Sequence, residues 1–151
     1  MKEWIERALR VTRQIDHLQP LLQLAARLYL ANAFLSSGWV KISTWSSTLA
    51  LFRDEYKVPL LPPELAAYAA TFGELFFPWL LVVGLAGRFG AAALFVVNAM
   101  AVISYPQLFE FDCPAGVHMH FFWGALLAAL VAFGPGRWSL DALILRRLGL
   151  R

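Results

Sequence analysis

The chain is short of charge and nearly devoid of cysteine. Only 15% of its 151 residues are Asp, Glu, Lys or Arg, against roughly 25% in soluble domains. Cys113 is the single cysteine. It excludes an internal disulfide, a Cys-x-x-Cys redox pair and an iron–sulfur cluster held within one chain. There is no dinucleotide fingerprint, no P-loop and no hydrolase elbow. There are no repeats, no low-complexity tract and no domain boundary, so residues 1–151 read as a single membrane domain. What fills the chain instead is apolar: 60% hydrophobic residues, with 12 Phe, 6 Trp and 4 Tyr. Sparse charge and abundant apolar surface exclude a disordered chain, and a soluble globule of this size would have to expose much of that surface.

The apolar residues gather into four stretches, at about 21–40, 65–87, 89–106 and 117–134. A rise of about 1.5 Å per residue lets each cover a hydrocarbon core of about 30 Å. Backbone groups in lipid are satisfied within a helix, so the expected fold is all-α, an integral membrane four-helix bundle. Nine basic residues flank one side of these spans: Lys2, Arg7, Arg10, Arg13, Arg88, Arg137, Arg146, Arg147 and Arg151. The other side has Lys41, Arg53 and Lys57. The positive-inside rule then places both termini in the cytoplasm. The net charge of +3 becomes a topology signal; split between the termini and lacking a recognition motif, it does not point to nucleic acid. The partner it does point to is the lipid bilayer.

Three amphipathic surface helices are expected besides the spans. Trp4, Ala8, Val11, Ile15 and Leu18 share a face before Pro20. In the first outer loop, Trp45, Leu49, Phe52 and Tyr56 advance by 4, 3 and 4, predicting a helix over 44–57 capped by Ser43 or Thr44. Ser139 is placed to cap a final helix carrying Leu140, Leu143, Ile144 and Leu148 toward lipid. Pro63 and Glu64 suit the first turn of the second span.

Ionisable groups inside a span are costly and need a reason. Glu74 lies midway along the second span, after Gly73 and four residues before Pro78, which removes the helical donor of the Glu74 carbonyl. A carboxyl and a freed carbonyl at one level suit a proton, a cation or a polar head group. The structural alternative is that Glu74 pairs with Arg27, or is protonated, and holds the bundle together. Arg27, Gly38 and Lys41 share one face of the first span. Arg27 either snorkels to the near interface or, if deeper, meets Glu74. Asn98 is expected to make an interhelical hydrogen bond.

Glu110, Asp112, Cys113, His118 and His120 form the densest chemistry and suit copper, zinc or iron. His118 and His120 fall on opposite sides of a helix, so both reach one ion only if the helix starts after His120. Their alternative is an interfacial aromatic belt with Phe121, Phe122 and Trp123. Haem is disfavoured, because His17 lies on the far side of the membrane from the other two histidines. A quinone needs apolar walls and a proton-exchanging group, for which Tyr29, Phe76, Phe77 and Trp79 are the wall candidates around Glu74 and Arg27.

The run Ala26-Arg27-Leu28-Tyr29-Leu30 through Phe34, Gly38 and Lys41 resembles the first helix of DoxX-family membrane proteins. The proline-containing loop, Glu74 and the Gly84-Leu85-Ala86-Gly87-Arg88 turn resemble the next parts of that pattern, over about residues 22–133. The resemblance implies a multi-pass bacterial inner-membrane protein with Arg27, Lys41 and Glu74 in its functional core. It implies a subunit or partner in quinone-linked or metal-linked redox chemistry, and at most a subunit of an oxidoreductase. Two alternatives stand beside it. One is a carrier of a small solute, proton or metal ion, working as a homo-oligomer. The other is a membrane anchor or assembly factor, including for systems that modify copper-handling peptides. The Cys113 and His118–His120 segment is outside the family's general pattern.

Overall fold

The computed structural model describes residues 1, 4, 6–7, 17–109 and 115–150. Most of the expected N-terminal surface helix, together with Glu110, Asp112 and Cys113, lies outside the described residues.

The described residues form six α-helices and one 3-10 turn: α1 (Gln19–Ser43), α2 (Trp45–Asp54), α3 (Pro63–Val83), α4 (Gly87–Ser104), the turn Pro106–Phe109, α5 (Ala115–Phe133) and α6 (Leu140–Arg147). Their starts follow from local chemistry. Pro20 sits in the first turn of α1 and Pro63 in that of α3, where a missing N–H costs nothing. Ser139 Oγ accepts from the Ala142 amide at 3.2 Å and caps α6, as its position predicts. Thr44 precedes α2 without capping it, because its hydroxyl donates back to the Val40 carbonyl at 2.8 Å.

The four long helices run up, down, up, down. α1 packs on α3, α3 on α4, α4 on α5, and α5 returns to α1. One end of this ring holds Arg27 and α6; the other holds Lys41 and α2. Helices α3, α4 and α5 are long and apolar enough to cross a membrane. α1 has 25 residues, so it reaches about 37 Å. It is less apolar than expected of a span, because its inward stripe carries Gln23, Arg27, Ser37 and Lys41.

The burial pattern is inverted relative to a soluble protein. Arg27, Glu74 and Asn98 are buried, while Leu22, Trp39, Phe72, Trp79, Phe121 and Phe133 are exposed. Such a surface favours lipid over water, and charged groups turned into the bundle are what the bilayer demands. Between the two ends lies a layer of Leu30, Phe34, Leu81, Leu94, Leu127 and Leu130, packed into one cluster. The predicted face of α2 is real: Phe52, with Trp45, Leu49 and Tyr56, packs on Ala66, Ala67 and Ala70 of α3.

The α3–α4 turn is locked from α6. The Asp141 carboxylate accepts from the Ala86 amide at 2.8 Å and the Gly87 amide at 2.9 Å, satisfying donors at the start of α4. Asp141→Ala is therefore expected to lower stability by about 1 kcal/mol, the usual worth of a helix N-cap. Thermal unfolding in detergent, followed by circular dichroism, checks this; an unchanged midpoint contradicts it.

Candidate functional site

Arg27 and Glu74 do not meet. The expected pairing fails because antiparallel packing puts Arg27 beside the end of α3 and Glu74 beside Lys41. Arg27 donates to four backbone carbonyls instead: Nε to Leu81 at 2.6 Å, Nη2 to Val82 at 2.8 Å, and Nη1 to Pro135 at 3.0 Å and Trp138 at 2.8 Å. Leu81 and Val82 close α3, where the last carbonyls have no partner of their own. The guanidinium fork suits this task, since it presents five donors in one plane. Gly84 makes room for it. Its φ of +69° is left-handed, and a Cβ there would lie 2.7 Å from Arg27 Nη2 and 2.6 Å from the Ser139 Cβ. Arg88 does similar work for α5, donating to Val131 and to Ala132 at 2.7 Å. Arg27 is therefore a structural centre at one end of the bundle.

The chemistry gathers at the other end. Lys41 Nζ lies 2.7 Å from Glu74 Oε2, 2.9 Å from Oε1 and 2.9 Å from Ser37 Oγ. These contacts turn the ammonium toward Glu74 and Ser37. Gly38 allows the approach: a Cβ there would come within 2.8 Å of the Leu75 Cγ and 3.1 Å of the Glu74 Cβ. A residue with a side chain would hold α1 and α3 apart at the level where Lys41 reaches across.

The ion pair forms part of the wall of a cavity of about 330 Å³. Polar groups around it are Ser37, Lys41, Tyr56, Glu74, Ser104, Tyr105 and His120; Phe52, Val96, Val97, Met100 and Ala101 supply apolar wall. Tyr56 also packs edge-on against Tyr105, 5.1 Å between ring centres, and Tyr105 Oη donates to Glu55 at 3.3 Å. Burial pushes the Tyr56 hydroxyl above its ordinary range, with Tyr105, Glu74 and Glu55 adding to the effect. It stays a neutral donor at physiological pH. A larger hollow of about 910 Å³ lies at the Arg27 end. Three of its polar side chains are committed to helix ends, Arg88 to α5, Asp141 to α4 and Gln23 to the Gly134 carbonyl.

Asn98 makes its expected interhelical bond, and its partner is His120. Asn98 Nδ2 donates to the His120 carbonyl at 2.9 Å, and its Oδ1 lies 2.9 Å from His120 Nδ1. His118 stays exposed on another face of α5. The helix starts at Ala115, before both histidines, so they do not converge on one ion. Among the described residues no three His, Cys, Asp or Glu side chains gather to hold a metal. The belt reading fails for Trp123, which turns inward onto Phe34 and donates to Tyr29 Oη at 3.3 Å.

The wall candidates Tyr29, Phe76, Phe77 and Trp79 are absent from the cavity's lining. Tyr29, Phe76 and Trp79 face outward, and Phe77 packs against the central apolar layer. The actual wall comes from α2 and α4, which sequence periodicity does not place beside Glu74. Ser37 carries a usable signal, one helical turn before Lys41, and Tyr56 another, on the apolar face of α2.

Residues 22–107 match the DoxX family. The matched stretch includes Arg27, Lys41, Glu74 and Asn98; His118 and His120 fall beyond it. An uncharacterized protein of Haemophilus influenzae is 31% identical over 126 residues, which cover 80% of this chain and 82% of that protein. No solved structure matches the chain. A match over more than half the residues, on an all-helical bundle with membrane-spanning segments, decides the matter: the chain belongs to the DoxX family.

Proposed function

We propose that this DoxX-family protein is a membrane subunit that binds a quinone-class head group in the Lys41–Glu74 cavity and serves redox chemistry with a partner protein. One observation carries the reading: a part-buried carboxylate–ammonium pair forms part of an otherwise largely apolar wall in a cavity of ligand size. Small-molecule sites span about 300–1,000 Å³ and combine apolar walls with a few placed polar groups. Glu74 is the proton-exchanging group, Lys41 holds its charge, and Tyr56 offers a hydrogen bond to a ring oxygen. The chain has no dinucleotide fingerprint and one cysteine, so electrons come from the partner.

Arg88, Arg137, Arg146 and Arg147 all stand at the Arg27 end. By the positive-inside rule that end faces the cytoplasm, in a bacterial inner membrane, and the cavity opens toward the outer face.

Quinone titration of the purified protein in lipid nanodiscs tests the reading, read by quenching of tryptophan emission. Wild type is expected to bind, and Glu74→Gln to bind at least tenfold more weakly. Absence of binding in both proteins sinks it.

A further inference from the structure

The Asn98–His120 contact fixes more than the packing of α4 on α5. Asn98 Nδ2 donates to the His120 backbone carbonyl, and Asn98 Oδ1 faces His120 Nδ1, each at 2.9 Å. A carbonyl oxygen only accepts, so the amide nitrogen has to be the atom turned toward it. The amide oxygen is then left facing the ring, and it too only accepts. Nδ1 must therefore carry the hydrogen. The neutral His120 ring is the Nδ1–H tautomer, and Nε2 keeps its lone pair.

His120 stands on the cavity wall, and Nε2 has no hydrogen-bond partner among the described residues. A second open group lies on the same wall. Ser104 is only 4% exposed, and its hydroxyl has no hydrogen-bond partner either. A helical serine usually satisfies itself on the carbonyl four residues back. By contrast, the Lys41 ammonium is held by Ser37 and Glu74. The cavity thus holds an unanswered acceptor at His120 and an unanswered hydroxyl at Ser104.

We infer that Asn98 is a positioning residue that presents His120 Nε2 as an acceptor, so that the cavity selects ligands donating a hydroxyl. This rests on the quinone-class reading and names the redox form: the hydroquinone is held in preference to the quinone. A hydroquinone O–H answers the Nε2 lone pair, and its second oxygen can bond Ser104. The ring oxygens of an oxidised quinone only accept, and would set lone pair against lone pair at Nε2.

Two measurements on the full chain in nanodiscs decide it. The first is nitrogen NMR of protein labelled in histidine, with His120 assigned by comparison with His17→Gln and His118→Gln. The expected spectrum has Nδ1 protonated and Nε2 bare; an Nε2–H tautomer or a doubly protonated ring in wild type overturns the inference. The second is anaerobic titration with duroquinol and duroquinone. Duroquinol is expected to bind about tenfold tighter, the scale of one buried hydrogen bond made or left unmade. Asn98→Leu is expected to bring the ratio near one and to shift the ring toward Nε2–H. Equal binding of both forms by wild type overturns the selectivity. Binding of neither overturns the quinone-class reading itself, while the spectrum still decides the tautomer.

Discussion

Arg27→Met is expected to lower the unfolding midpoint of the detergent-solubilised protein by roughly 10 °C, or to prevent its accumulation. The reasoning starts from helix ends. Leu81 and Val82 are among the last residues of α3, and Pro135 and Trp138 belong to the link after α5. Arg27 answers all four carbonyls from a position that is 1% exposed. Methionine fills similar space and answers none. Each buried group left without its partner costs about 1–3 kcal/mol. Local relaxation recovers part of this, leaving a net loss of about 3 kcal/mol or more, and each 1 kcal/mol moves the midpoint of a chain this size by about 2–4 °C. Arg27→Lys is expected to fare nearly as badly, because one ammonium has three donors and no planar fork. A midpoint within about 2 °C of wild type for Arg27→Met would show that the carbonyls find other partners.

The Lys41–Glu74 pair calls for a different design, because single changes confound stability with binding. Lys41→Met leaves a carboxylate, and Glu74→Gln leaves an ammonium, in a part of the bundle where the two side chains are 18% and 8% exposed. Breaking a buried pair costs about 3–5 kcal/mol, and partial exposure puts this one at about 3 kcal/mol. Replacing both partners removes the unpaired charge. Lys41→Met/Glu74→Gln is expected to unfold within about 1 kcal/mol of wild type. It is nevertheless expected to have lost quinone binding. A double-mutant cycle on unfolding, run beside the titration, reads both. A double variant that binds like wild type refutes the ligand role, and one as unstable as the worse single variant refutes the pairing.

The two predictions separate charges that look equivalent along the chain. Both Arg27 and Lys41 lie on the inward stripe of α1, and each could have been the partner of Glu74. The helical repeat puts 27, 34, 38 and 41 on one face but says nothing about depth, and depth decides the partner. In an antiparallel pair the later residue of α1 meets the earlier residue of α3, so Lys41 reaches Glu74 while Arg27 falls beside Leu81. The α2 face and the Ser139 cap were legible for the opposite reason: periods and caps are local, and tertiary packing only has to accept them. The cavity wall was not legible. Val96, Val97, Met100 and Ala101 are ordinary apolar residues of a span, and only the rotation of α4 about its axis turns them toward Glu74. His120 was legible as chemistry, though not as the partner of Asn98, since nothing in spacing joins residues 22 positions apart.

The apolar layer of Leu30, Phe34, Leu81, Leu94, Leu127 and Leu130 carries a last consequence. It lies between the Lys41–Glu74 cavity and the Arg27 end, and no ionisable side chain belongs to it. It insulates the two ends electrically. On the quinone-class reading, a proton exchanged at Glu74 comes from and returns to the side that the cavity faces, and does not cross the layer. Vesicles reconstituted with the protein alone are expected to hold an imposed pH gradient as long as empty vesicles do, and a faster collapse would mean that the layer conducts.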